Sequence, residues 1–171
     1  MDSLPHAFDD SAVLTVLEPA ERSVPLVFAS PHSGREYPAD FVAASQLDPQ
    51  GQRRSEDSEP YELDPGMFSG PLPVAANIRS PRVAAGLGTI AKVVGTGADI
   101  YAGKLPVSEI ERRIGTFYRP YHRRLSMLVE EARATFGWSL LVDCHSMPSI
   151  GGPMDRDVGL SRVDVVLGDC Y

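Results

Sequence analysis

The sequence predicts an α/β protein, a three-layer sandwich around a mixed, mostly parallel central sheet. Three observations predict it. Two apolar runs, one ending at Ala29 and one at Val142, read as buried strands, and each leads into a loop that carries a histidine. A long stretch of helical periodicity, Ser108 to Phe136, separates the second run from the chain before it. Glycines and prolines break the remaining apolar runs into short pieces.

Taken in order, residues 1–12 read as a loose lead-in, and Ala12–Leu17 alternates weakly, as an edge strand does. Val24–Ala29 is the first strong strand, rich in valine and phenylalanine and ended by Ser30-Pro31. Ala39–Ala44 suits a short helix. Gln46–Asp64 is polar, and the prolines and glycines of residues 59–73 make an irregular connector. Thr89–Val94 reads as a further strand, closed by Gly95 and Gly97.

The clearest helix starts at Ser108, with Glu111 completing a capping box. Ile110, Ile114, Phe117, Tyr121, Leu125, Leu128 and Ala132 keep its apolar spacing, and Pro120 predicts a kink or a break. Gly137 ends it. The strand Ser139–Val142 follows, and Val163–Leu167 suits a last short strand.

Composition narrows the function. A chain of 171 residues with 43% hydrophobic content can bury one ordinary core. Its net charge of −7 argues against non-specific nucleic-acid binding. No apolar run reaches the roughly 18 residues of a membrane span. Met1–Asp10 lacks the basic-then-apolar pattern of a secretory signal, and Cys144 and Cys170 form no disulfide framework. The expected compartment is the cytoplasm, and neither nucleic acid nor a membrane is the expected partner; the acidic balance leaves room for a local basic pocket that binds a carboxylate substrate.

The chemistry concentrates at the two strand ends. Open α/β sheets place ligands at the carboxyl ends of their strands. His32 and His145, delivered there, suggest a metal site, and a metal site suggests hydrolysis. A hydrolytic zinc ion takes three protein ligands from histidine and carboxylate and leaves one position for water. Glu56 and Asp57, in the charged run Arg53–Ser58, are both candidates for the third ligand. Asp143 shares a strand face with His145 and suits an orienting hydrogen bond. Cys144 points to the opposite face from His145, which disfavours a cysteine–histidine pair. Arg113 and His122 lie on the long helix near its proline. Arg113 suits bidentate binding of a substrate carboxylate.

Several motifs then occur in order: Ser30-Pro31-His32-Ser33-Gly34, Arg54-Ser55-Glu56-Asp57-Ser58, Glu62-Leu63-Asp64-Pro65, Arg82-Val83-Ala84-Ala85-Gly86-Leu87-Gly88, Tyr118-Arg119-Pro120-Tyr121-His122 and Asp143-Cys144-His145-Ser146-Met147-Pro148-Ser149. Together they resemble the N-formylglutamate amidohydrolase family, from about Pro25 to Tyr171. The resemblance implies a zinc-dependent hydrolase with a phosphorylase/hydrolase-like fold akin to metallocarboxypeptidases. It implies cleavage of N-formyl-L-glutamate to formate and glutamate in histidine breakdown.

By motif position it implies His32, Asp57 and His145 as ligands of Zn2+, with Glu56 the alternative to Asp57. Glu56 is the nearby candidate for the general base, and Arg82 or Arg113 for the group that binds the acidic end of the substrate. A related zinc amidohydrolase or peptidase with another N-acyl substrate, or a non-catalytic module of the same fold, are the rival readings.

The family usually carries more chain between Ser58 and Glu59, including an Asp-x-Asn-Arg element. It also continues beyond Leu167-Gly168-Asp169 into a region with a glutamate suited to act as general base. The expectation is one domain over residues 1–171 that lacks an internal segment near 58/59 and a C-terminal part relative to the family.

Overall fold

The structure, a computed structural model, describes residues 13–31, 43, 61–74, 76–153 and 155–168. In chain order its elements are β1 (Leu26–Ala29), a 3-10 turn (Pro65–Met67), β2 (Phe68–Ser69), α1 (Pro81–Ala84), β3 (Leu105–Pro106), α2 (Ser108–Arg113), a π-helical turn (Ile114–Tyr118), α3 (Arg119–Phe136) and β4 (Leu140–Asp143). This is a mixed α/β chain with parallel strands. Among the described residues those strands form two separate parallel pairs, β1–β4 and β2–β3, where the sequence predicts one central sheet. The chain divides into two compact units, one of Met1–Ser30 with Ser108–Cys144, the other of Pro31–Val107 with His145–Tyr171. No helix among the described residues is long and apolar enough to cross a membrane.

In the first unit, β1 and β4 pair from Leu26 opposite Leu140 to Ala29 opposite Asp143. The ladder extends at both ends, with Leu140 N–H donating to the Pro25 carbonyl and Cys144 N–H to the Ala29 carbonyl, each at 2.8 Å. Strand side chains alternate, so one face of β1 buries Val27 and Ala29 while Phe28 stays 65% exposed. Leu140 and Leu141 of β4 are also exposed. β1 is therefore a half-covered strand and β4 is exposed along most of its length, where the sequence predicts two buried strands. Their apolar composition resembles that of a sheet covered on both faces, but helix α3 packs against β1 alone of the two as a main contact. Val13–Leu17 forms no strand.

The long helix forms where periodicity places it, in three pieces. Arg119 N–H donates to the carbonyl of Ile114, five residues back, which defines the π-helical turn. Pro120 has no N–H to offer the carbonyl of Thr116, so the regular ladder cannot run through this point. The interruption thus falls just upstream of the proline. Gly137 ends α3 in a left-handed conformation (φ 82°), and its N–H caps the Arg133 carbonyl at 2.8 Å.

The predicted capping box is replaced by ion pairs. Glu111 accepts from Arg119 Nη1 at 2.6 Å, and Glu109 becomes the hub of the first turn. Glu109 accepts from Arg112 Nε and Nη2 at 2.8 and 2.7 Å and from Arg113 Nε at 2.9 Å. Hydrogen bonding from Arg112, then from Arg113, holds its carboxyl at about 2, against an ordinary 4.5. A carboxyl depressed by folding stabilises the native state above its unfolded value, and that stability drains as pH falls through the folded value. Melting temperature should therefore fall as pH drops from about 4.5 towards about 2, and Glu109→Gln should flatten that part of the profile. Thermal melts of both proteins across that range check it.

The second unit gathers a core from Leu63, Met67, Phe68, Val83, Ile90, Val94, Ile100 and Leu105. Asp64 caps the 3-10 turn, its Oδ1 accepting from Gly66 N–H at 2.7 Å, and Pro65 supplies the fixed φ at the next position. Ser80 caps α1 in the same manner, its Oγ accepting from Val83 N–H at 3.1 Å. Thr89–Val94 does not form the expected strand. Lys92 and Val93 both donate to the Gly86 carbonyl, and Val93 makes only an isolated antiparallel bridge with Asp99. Ile90 and Val94 are buried all the same, so the apolar run serves the core as an irregular segment. Val163–Leu167 also forms no strand, and Val163, Val165, Val166 and Leu167 are exposed. The short helix expected over Ala39–Ala44 falls, except for Ala43, outside the described residues.

Candidate active site

The register of β1 and β4 determines where the two histidine loops begin. The strands are parallel, and Ala29 lies opposite Asp143 at their carboxyl ends. In the sequence, His32 follows Ala29 by three residues and His145 follows Asp143 by two. Both loops thus leave the same end of one sheet, joined there by the Cys144–Ala29 hydrogen bond. This is the end at which α/β sheets present ligand-binding groups.

His145 is exposed, as are Asp143 and Cys144. The Cys144 thiol donates to the Val142 carbonyl at 3.9 Å. His32, Glu56 and Asp57 lie outside the described residues. Among the described residues no three metal-ligating side chains converge, and His145 is the one member of the expected ligand set they include. An exposed imidazole on a loop fixed by a strand is a donor that suits zinc, and with a second imidazole and a carboxylate it makes a common zinc set.

The loop that follows His145 is tied down. Ser149–Arg162 folds back on itself through bridges of Ile150 with Ser161 and Gly151 with Val158. Arg162 grips Asp157 with two hydrogen bonds, at 2.7 and 2.6 Å, and reaches Asp155 at 2.9 Å. Arg162 thereby holds the Asp157 carboxyl below its usual range, and the two aspartates hold the guanidinium charged.

The predicted substrate-binding residues differ in their surroundings. Arg113 is 11% exposed, and its Nε donates to Glu109, so it is committed to an ion pair of its own helix. His122 packs among aromatics, its ring centre 4.2 Å from that of Tyr118 at a tilt and 5.1 Å from that of Tyr121 edge-on. Nine residues separate Arg113 from His122, which would put them on opposite sides of an unbroken α-helix. The π-helical turn winds in one extra residue and narrows their separation to roughly 80° around the axis. Arg82 lies on α1 with its side chain 45% exposed, its Nε donating to the Leu87 carbonyl at 3.3 Å and lying 3.6 Å from Glu62 Oε2.

The sequence alone assigns Glu62 no role. It is the buried charged residue among the described positions, at 6% exposure. Its backbone is clamped by Thr89: Glu62 N–H donates to Thr89 Oγ1 at 2.8 Å, and Thr89 N–H to the Glu62 carbonyl at 2.7 Å. Nothing in the run Tyr61-Glu62-Leu63 distinguishes a buried carboxylate from a surface one.

The profile of the N-formylglutamate amidohydrolase family matches residues 57–171, which takes in Asp57, Arg82, Arg113, His122 and His145. The chain belongs to the N-formylglutamate amidohydrolase family. Its structure is similar to the crystal structure of N-formylglutamate amidohydrolase from Ralstonia eutropha JMP134, with a TM-score of 0.65 and 32% sequence identity. That similarity covers 77% of this chain and 56% of the Ralstonia protein, so the chain spans little more than half the length of that relative. No match is found among curated protein sequences. The N-formylglutamate amidohydrolases to which the chain is related are hydrolytic enzymes.

Proposed function

We propose that this chain carries a zinc-dependent amidohydrolase site whose substrate is N-formyl-L-glutamate, on a three-layer, phosphorylase/hydrolase-like scaffold related to the zinc carboxypeptidases. The observation that carries the reading is the parallel register of β1 and β4, from whose shared end both histidine loops depart, in a chain of this family. His32, Asp57 and His145 would hold Zn2+. When bound, the ion supplies Lewis acidity towards the formyl oxygen and lowers the pKa of water towards about 7.

The chain's own groups do the rest. Glu56 accepts a proton from the attacking water and returns it to the departing nitrogen. Water oxygen bonds to the formyl carbon, the carbon–nitrogen bond breaks, and formate and glutamate leave. Arg82 binds a substrate carboxylate. Arg113, spent on Glu109, and His122, packed between tyrosines, serve better to shape the helix face than to contact substrate first. A small acidic substrate, the cytoplasm and a place in histidine breakdown accompany this reading, and the net charge of −7 gives nucleic acid no attraction.

Treatment with a chelator should abolish hydrolysis of N-formyl-L-glutamate, and one equivalent of zinc should restore it. A panel of N-formyl and N-acyl amino acids assayed in parallel should place N-formyl-L-glutamate first in kcat/KM. Equal rates for N-acetyl-leucine and N-formyl-L-glutamate would overturn the substrate assignment. Full activity after complete zinc removal would overturn the metal.

A further inference from the structure

Residues 14–24, which lead into β1, are held to the fold by charge rather than by burial. None of them is buried, and their backbone makes no hydrogen bond with another described residue. Leu17 is 90% exposed. What ties this segment to helix α3 is a row of charges of alternating sign. Arg124 Nη2 donates to Glu18 Oε1 at 2.9 Å, and Arg124 Nη1 lies 3.5 Å from Glu131 Oε1. Arg22 Nη2 lies 3.6 Å from the other carboxylate oxygen of Glu131.

The row fixes the segment at two points along one stripe of the helix, since positions 124, 131 and 135 share a face of α3. Between those points the segment arches over a groove of about 370 Å3, lined by Glu18, Pro19, Ala20 and Arg22 on one side and by Glu131 and Thr135 on the other. The pair Arg124–Glu131 lies within the helix and links the two ties that cross to the segment. Glu18 and Glu131 are about half exposed, so water and salt reach every pair. A segment with no ladder and no buried side chain opens at a lower free energy than the core does. The ladder with β4 starts at the Pro25 carbonyl, which sets the end of any such opening.

We propose that residues 14–24 form a strap latched across α3 by Glu18, Arg124, Glu131 and Arg22, which opens about Val24–Pro25 as ionic strength rises. Opening bares the Arg124–Glu131 stripe of the helix, frees the guanidinium of Arg22 and leaves the β1–β4 pair in place.

Trypsin reads the strap directly. It cuts after Arg22 only when that guanidinium has left Glu131 and the segment has lifted from the helix, so the rate of cutting follows the open population. The full chain is digested at about 50 mM and about 500 mM NaCl. Mass spectrometry follows the cut between Arg22 and Ser23, and a small peptide substrate normalises trypsin activity in each buffer. Wild type should be cut about fivefold faster at the higher salt. Glu131→Gln should be cut about fivefold faster than wild type at the lower salt, and the double variant Arg124→Gln/Glu131→Gln should be cut at one rate in both buffers. Glu130→Gln removes a charge from the adjacent position, whose partner is Arg133 rather than the strap, and should match wild type. All variants should melt within about 2 °C of wild type, because the strap contributes nothing to the core.

Cleavage after Arg22 that ignores both salt and Glu131→Gln would overturn the latch. So would equal acceleration by Glu130→Gln. A cut that appears only as the near-ultraviolet circular dichroism of the whole fold is lost would also overturn it, since the segment would then open with the core.

Discussion

Replacing His145 with alanine should remove zinc from the protein and lower kcat/KM for N-formyl-L-glutamate by at least about a thousandfold. The fold should survive the change. His145 is exposed and follows the last register position of β4, so its side chain supports neither the ladder nor a buried core. Exposed substitutions of this kind usually alter stability by less than about 0.5 kcal/mol. Metal content by mass spectrometry, steady-state kinetics and a thermal melt on one preparation separate the two effects. His32→Ala should behave identically, because both loops begin at the same end of one parallel pair. Undiminished zinc and activity in either variant would mean that the paired strand ends serve something other than metal binding.

Gly88→Ala should be among the most damaging single substitutions in the second unit, costing about 3 kcal/mol. The added methyl would overlap the backbone oxygen of Glu62 and lie 3.1 Å from its carbonyl carbon. Backbone cannot swing aside as a long side chain can, so the segments must separate. Separation breaks the two hydrogen bonds that Thr89 makes with Glu62. Denaturant titration measures the loss. Ala substituted at Gly95, where nothing lies within 4 Å of a Cβ, provides the comparison and should change stability by less than about 1 kcal/mol. A Gly88→Ala protein as stable as wild type would show that the contact relaxes freely.

The parts of this chain that the sequence reveals are those governed by local rules. β1 and β4 follow from short apolar runs bounded by turn residues. The long helix follows from its apolar spacing, and its interruption from a proline that lacks one donor. Gly137 marks the helix end because a left-handed residue is needed there.

Other features depend on what meets what. Thr89–Val94 carries a strand's composition, but Lys92 and Val93 turn back onto Gly86, and burial without a ladder satisfies the same residues. The capping box was outcompeted because Arg119, eight residues away, reaches Glu111, and two neighbouring arginines converge on Glu109. Of the candidate site, His145 was legible because a rigid strand precedes it. Glu62 was not, because the burial of a carboxylate depends on Thr89, Asn77 and Arg82, at distances of 15 residues or more along the chain.

The surplus residue in the π-helical turn gives the long helix two independent indexings. The segment after Arg119 is phased by its seat on β1, while the Glu109 hub, whose partners Arg112 and Arg113 lie on the same helix, ties the leading segment to itself alone. A length change of one residue between those points would re-aim the leading segment by about a quarter of a revolution and leave the trailing one where it is. The joint is therefore the place where a one-residue insertion or deletion in this chain would change which side chains travel together, without disturbing the strand that the helix leads to.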